Sequence, residues 1–248
     1  SPCWAVRVDT SCDSLPGLPI KACSAVSRAW DGASPLKKLK FIEPLCGTTS
    51  GDEVVPVSVP RKKGDPLIFA TDEGVRADTT AESLAALRPM QKGGVSTAGN
   101  SSQQNDAAAA CLLVAEDKLE ELGLEPIGYF VGWAAAGCDP ARMGIGPVPA
   151  VKRLFERTGL GWDDMGLVEL NEAFAAQSLA VMKGWGWEDR SILNVNGSGI
   201  SLGHPIGATG VRIAATLLHE MQRRGVRYGL ETMCVGGGQG VAAIFERA

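Results

Sequence analysis

Three short segments hold the residue types from which acid–base and nucleophilic chemistry is built. The first is Asn171-Glu172-Ala173-Phe174. The second runs Asn196-Gly-Ser-Gly-Ile-Ser-Leu-Gly-His204-Pro205-Ile-Gly-Ala-Thr-Gly, and the third is Cys234-Val-Gly236-Gly-Gly-Gln-Gly240. Histidine and cysteine exchange protons near neutral pH, and a thiol is also a nucleophile. Glycine runs let another group approach the backbone closely. Each segment follows a predicted strand, and open α/β sheets carry reactive groups at the C-terminal ends of their strands. Taken singly, each also has an ordinary structural explanation. Asn171 suits a helix N-cap, and His204 among glycines suits a hydrogen-bonded loop. Cys234 suits an inert core thiol, and Gly236 to Gly240 suits a hairpin turn.

The elements that would position these segments alternate between strand and helix after Pro126. The pattern predicts strands over 127–133, 167–170 and 192–195, and helices over 149–158, from Asn171 to about Lys183, and over 208–223. Val211, Ala215, Leu218 and Gln222 fall in register on the last helix. Closing strands are predicted over 226–234 and 241–246, flanking the glycine-rich turn. Upstream, Glu53 to Val59 alternates as an edge strand bounded by prolines. A helical patch lies near 81–87, inside a loop-rich excursion over 61–99. Residues 107–115 read as a buried strand leading into a helix over 116–122, which Gly123 stops. Residues 1–50, broken by Pro2, Pro16, Pro19, Pro35 and Pro44, read as irregular apart from one short strand or helical turn within 35–42. Strand–helix alternation with an antiparallel finish predicts an α/β fold, a mixed sheet covered by helices.

The 248 residues suffice for one large domain or two modest ones. Lys and Arg number 24 against 28 Asp and Glu, a net charge of −4 that offers no footprint for nucleic acid or for a membrane surface. Hydrophobic residues at 45% with 21% charged residues give the balance of a folded protein. No apolar run approaches the ~20 residues of a bilayer-spanning helix. The first thirty residues hold no apolar stretch of the signal-peptide kind. A soluble, cytoplasmic protein is the expectation. Seven cysteines without C-x-x-C spacing, beside only two histidines, predict neither a zinc cluster nor a disulfide framework.

Together the three segments resemble the signatures of the thiolase family. Val195 to Gly210 is similar to its histidine motif, Asn171-Glu-Ala-Phe to its asparagine motif, and Cys234 to Gly240 to its C-terminal cysteine motif. Gly64-Asp-Pro, Leu87-Arg-Pro, Thr97-Ala-Gly-Asn-Ser-Ser and Met143-Gly-Ile-Gly-Pro-Val-Pro fall in the order thiolases use. The likeness spans about residues 51–248. It implies a thiolase-like layered fold with an atypical segment over 1–50, a remnant of the N-terminal domain with its loop domain over 51–123, and a C-terminal domain over 124–248. The implied activity is acyl transfer, either condensation of acetyl-CoA or thiolytic cleavage of a 3-ketoacyl-CoA, through an acyl-cysteine.

By the same resemblance, His204 takes the proton of the nucleophilic thiol and donates a hydrogen bond to the thioester oxygen. Asn171 holds a water that supplies the second donor of that oxyanion hole. Cys234 is the acid/base, and Gly236 offers its backbone N–H to the oxyanion of the acyl-enzyme step. Arg76, Ser83, Ala98 and Ser102 match coenzyme-contacting positions, and Ala173 and Phe174 line the pantetheine tunnel. Coenzyme A enters as substrate, so no metal or resident cofactor is implied. Acyl-CoA and further copies of the chain in a homo-oligomer are the implied partners. The Ser-Ser-Gln-Gln after Asn100 is similar to the degradative branch of the family.

The pattern departs at the N-terminal end. The family's nucleophile motif, a cysteine followed by Ser-Gly or Gly-Ser-Gly, has no match. The nearest text, Ala22-Cys23-Ser24-Ala25-Val26, lacks the glycine and lies thirty residues before Glu53. An alternative of a different class follows: a catalytically incomplete chain that binds coenzyme A, or complements a partner subunit supplying the nucleophilic cysteine. Apolar surface normally covered by the family's first domain would then be open to association.

Overall fold

The computed structural model describes residues 4–7, 39–42, 56–70, 76, 78–105, 107, 109–188 and 190–248. The strands in chain order are β1 (Trp4–Arg7), β2 (Leu39–Ile42), β3 (Val57–Val59), β4 (Leu67–Phe69), β5 (Leu112–Ala115), β6 (Pro126–Gly137), β7 (Met165–Leu170), β8 (Tyr228–Val235) and β9 (Gln239–Arg247). The α-helices are α1 (Ala81–Ala85), α2 (Leu119–Leu122), α3 (Pro147–Thr158), α4 (Ala175–Trp185), α5 (Gly199–Leu202) and α6 (Thr209–Arg224).

Seven strands form one sheet in the order β1-β5-β2-β6-β9-β8-β7, while β3 and β4 pair as a separate antiparallel hairpin. β7 and β8 run parallel, and β9 lies antiparallel to both β8 and β6. The sheet is therefore mixed, as the alternation of elements predicts.

Helices cover both faces of this sheet, so β9 is apolar without interruption from Val241 to Phe245. Ala242 and Ile244 face one layer, where they meet Ala150, Val151 and Leu154 of α3 and Val181 and Met182 of α4. Ala243 and Phe245 face the other, against Ala214, Leu217, Leu218 and Met221 of α6. Full burial of a side chain such as Leu217 or Leu218 contributes roughly 1.5–3 kcal/mol. α3 opens with Pro147 in its first turn and stops at Gly159, which turns left-handed at φ 72°.

Several boundaries differ from the sequence pattern, each for a physical reason. Residues 192–195 are not a strand; Leu193 makes a single parallel bridge to Val168. Asn194 takes φ 47° there, and its side-chain amide replaces a strand by bonding both the N–H and the C=O of Leu170 at 2.8 Å. The helix expected from Asn171 begins at Ala175, because residues 171–174 are held extended by neighbouring chain. The strand expected over 107–115 is confined to Leu112–Ala115, and 116–122 is a 3-10 turn followed by α2. Of the four residues in register on the last helix, Leu218 is buried and Gln222 is exposed, because the covered stripe runs through Ile213, Ala214, Leu217 and Met221. Within 1–50, Leu39–Ile42 is the short strand allowed over 35–42, whereas Trp4–Arg7, read as irregular, is also a strand of the main sheet. Cys23 lies outside the described residues.

Candidate active site

Asn171 follows the last residue of β7 and is fully buried. Its backbone N–H extends the sheet by one bond, donating to the C=O of Thr232 at 3.0 Å. Ser198 stitches the glycine-rich segment to this point, donating to the C=O of Leu170 at 3.0 Å and accepting from the N–H of Glu172 at 3.3 Å. α5 then starts directly against the asparagine. A Cβ on Gly199 would stand 2.6 Å from the carbonyl oxygen of Glu172 and 3.0 Å from Oδ1 of Asn171, so only glycine fits.

His204 is placed by the 103–105 segment, since its backbone N–H reaches the C=O of Gln103 at 3.1 Å and Oδ1 of Asn105 at 3.2 Å. Its ring lies between two side chains. Nδ1 is 2.7 Å from Oγ1 of Thr209, and Nδ2 of Asn171 is 3.4 Å from each ring nitrogen. The network assigns the tautomer. The single hydroxyl hydrogen of Thr209 goes to the C=O of Pro205 at 2.9 Å. Its oxygen is then an acceptor for Nδ1–H, which leaves Nε2 as the basic nitrogen. Burial, and after it the charge of Arg212, hold the imidazole below the ordinary histidine value. A neutral ring with a free Nε2 lone pair is a proton acceptor at pH 7.

Cys234 lies near the end of β8, opposite Gly240 of β9 and two residues past the Thr232 that receives Asn171. Burial pushes its thiol up, its own backbone contact offsets part of this, and the neighbouring Cys138 adds to the rise. Cys138 belongs to the segment that seats the glycine turn, its N–H donating to the C=O of Gly238 at 2.7 Å. Gly146 and Gly240 touch backbone to backbone. A Cβ on either would fall within 2.2 Å of the other strand's carbonyl oxygen, so the 143–147 turn is locked beside Cys234 by two glycines. Gly236 is exposed at the tip, and a Cβ there would meet nothing within 4 Å.

The coenzyme candidates divide. Ala98 and Ser102 lie on a turn stapled to the asparagine segment: Ser102 N–H donates to the C=O of Ala173, and Ala175 N–H to the C=O of Asn100, both at 2.9 Å. Ala173 is buried there, and Phe174 is 39% exposed. Ser83 is occupied locally, exchanging hydrogen bonds of 3.0 and 3.1 Å with Thr80 as the cap of α1. α1 reaches the site only indirectly, through Leu84 and Leu87 packed over Gly99. Arg76 is exposed, and its carbonyl turns the chain toward α1 by accepting from Thr79. Thr209, Gln103 and Asn105 hold His204 but do not stand out in the sequence. Thr209 sits inside the histidine motif, and a hydroxyl five residues past a histidine was the available signal. Among the described residues, no three His, Cys, Asp or Glu are arranged to hold a metal ion, and no helix is long and apolar enough to cross a membrane.

Comparison with known proteins gives the same reading for most of the chain. Residues 48–117 match the family description "Thiolase, N-terminal domain", and residues 124–247 match "Thiolase, C-terminal domain". An acetyl-CoA acetyltransferase of Chromobacterium violaceum is 54% identical over 197 residues, 79% of this chain and 50% of the relative. The Bacillus anthracis acetyl-CoA acetyltransferase superposes with a TM-score of 0.75 at 48% identity, over 79% of this chain and 50% of that one. Human mitochondrial 3-ketoacyl-CoA thiolase in complex with CoA superposes with a TM-score of 0.66 at 44% identity, over 73% of this chain and 46% of that one. The chain thus spans about half the length of the relatives it matches. Identity at this level, spread over both family domains and a shared fold, means that the chain belongs to the thiolase family.

Proposed function

We propose that the chain carries the acid/base and coenzyme-facing half of a thiolase-type acyltransferase acting on acetyl-CoA and 3-ketoacyl-CoA. The observation that carries this reading is the arrangement about His204, with Nδ1–H given to Thr209 and Nε2 left basic beside the Asn171 amide. In thiolysis, Nε2 removes the proton from the nucleophilic thiol. The resulting sulfur attacks the 3-keto carbon, and Nε2–H with a donor held by Asn171 faces the oxygen where charge gathers. As the C–C bond breaks, its electron pair stays on the departing α-carbon, which takes a proton from Sγ of Cys234. Coenzyme A thiol then gives its proton to the Cys234 thiolate and its sulfur takes the acyl group, with Gly236 N–H facing the second oxyanion; the C–S bond to the nucleophile breaks, and the released thiolate takes back the proton from Nε2. Condensation is the reverse sequence.

Ala98, Ser102, Ala173 and Phe174 are the coenzyme-facing residues in this reading, since hydrogen bonds gather their segments beside Asn171. Ser83 and Arg76 would contact the outer part of the coenzyme. Cys138 and Cys234 are held as thiols, which is in keeping with a reducing, cytoplasmic setting.

Acyl trapping tests the proposal. The full chain is incubated with acetoacetyl-CoA, quenched in acid and mapped by peptide mass spectrometry. Acyl label on Cys23, or on another cysteine before Glu53, identifies a self-sufficient enzyme. No label with retained coenzyme A binding identifies the alternative, a chain that binds the coenzyme or complements a partner carrying the nucleophile. Neither label nor coenzyme A binding overturns both.

A further inference from the structure

A cluster of shielded charges lies behind His204, and the chemistry above leaves it unused. Glu169 of β7 and Glu231 of β8 are partners in the parallel register, and Glu169 is 2% exposed. Both lie on the α6 side of the sheet, since Leu167, two residues before Glu169, packs among Leu217, Leu218 and Met221. Arg212 descends from α6 toward them. Its Nε and both terminal nitrogens are shut off from solvent without a hydrogen bond, as is one carboxyl oxygen of each glutamate. The attraction therefore acts through space. Two adjacent carboxylates in a dry site cannot both ionise against one guanidinium. Burial, only partly offset by Arg212, pushes Glu169 up to about 8. Burial and then the Glu169 charge push Glu231 well above the usual carboxylate range. Glu172, beyond β7, and Glu220, on α6, add to the same field.

Two members of the cluster sit on the elements that hold the His204 ring. Arg212 is three residues past Thr209, which receives Nδ1–H, and Glu169 is two residues before Asn171, whose amide faces the ring from the other side. We propose that Arg212, facing the paired Glu169 and Glu231, is a positioning residue for His204: it keeps positive charge behind the imidazole, so that the ring stays neutral with Nε2 open. This inference rests on the acid–base reading of His204 and names the group that sets its charge state. The depressed titration of His204, to which Arg212 contributes after burial, agrees with it.

The chain has only two histidines, so ring-proton NMR follows His204 directly in the full chain, with a His219→Gln variant to assign the signals. The unaltered chain decides first: a His204 midpoint below the ordinary value of about 6.5 is expected, and one at or above it overturns the proposal. Arg212→Lys keeps the charge and leaves the midpoint in place. Arg212→Met moves it up by about 0.5–1 pH unit, a three- to tenfold gain in proton affinity. The double change Glu169→Gln, Glu231→Gln replaces carboxyls already protonated where His204 titrates and leaves the midpoint in place. No rise in folded Arg212→Met, or a rise as large in Arg212→Lys, overturns the proposal, and any move of the midpoint in the folded double variant overturns it as well. The titration needs no turnover. Failure of the acyltransfer reading would instead show as lost coenzyme A binding with this pattern intact.

Discussion

At the residue scale, one hydroxyl decides what His204 can do. Thr209 spends its only hydrogen on Pro205 and so can only accept from the ring. Thr209→Val removes that acceptor. The expected outcome is loss of the single Nδ1–H tautomer in 15N NMR of the imidazole at pH 8, and a fall of about tenfold in any turnover, the kinetic equivalent of one hydrogen bond of ~1.4 kcal/mol. Cys234 offers a second measurement. Because burial and Cys138 both raise its thiol, its alkylation by iodoacetamide should reach half-maximal rate above the ordinary cysteine midpoint of about 8.5. Cys138→Ser removes one cause and should lower that midpoint; an unchanged profile would mean that the two sulfurs do not sense one another. The motif residues Asn171, His204 and Cys234 were legible in the chain because a short run of unusual residue types carries each of them. Arg212, Glu169 and Glu231 were not. In sequence they are three more charges, and only register and layering show that they face one another under the sheet.

At the element scale, α6 is tied to the segment that carries His204 through Glu220. Its carboxylate accepts from Nδ2 of Asn196 at 3.0 Å, from Nε of Arg223 at 2.7 Å and from Nε of Arg224 at 2.5 Å. Burial alone would raise its pKa, but these donors outweigh it and hold the carboxyl at about 2, below the ordinary 4.5. A depressed carboxylate stabilises the folded state fully above its unfolded pKa and loses that contribution as pH falls toward the folded one. Glu220→Gln should therefore unfold at lower urea than the unaltered chain at pH 6, and the gap should close progressively between about pH 4.5 and 2. A gap that is constant across this range would assign the loss to packing instead. The same scale explains where periodicity misleads. α3, β7, β8 and β9 follow their own sequence patterns closely. The 171–174 stretch does not, because Ser102, some seventy residues earlier, and Thr232, some sixty later, claim its backbone groups. Residues 192–195 look like a strand until Asn194 turns left-handed and offers its amide in place of one.

At the scale of the whole molecule, apolar side chains stand in solvent on the β3–β4 hairpin, with Val57 54% and Ile68 60% exposed, and Ile206 beside the histidine segment is 78% exposed. Surfaces of this kind favour association. Light scattering at micromolar concentration should find an assembly larger than a 25.9 kDa monomer, and a monodisperse monomer would contradict the homo-oligomer reading. The sheet order carries a further consequence, for how the chain reaches this state. β9 lies between β6 and β8, and its partners on β6 are more than a hundred positions away, from Gly137 with Gln239 to Gly128 with Arg247. Such pairings must close long loops before any contact rewards them, so folding of this chain is slow compared with that of a helical bundle. α3 and α6 can flicker into shape early, yet the layers that would retain them do not exist until β9 is inserted. Refolding should accordingly show helical signal ahead of a slower step in which tryptophan environment and coenzyme affinity arrive together. The reactive centre is then not assembled piece by piece; it appears when the middle of the sheet closes.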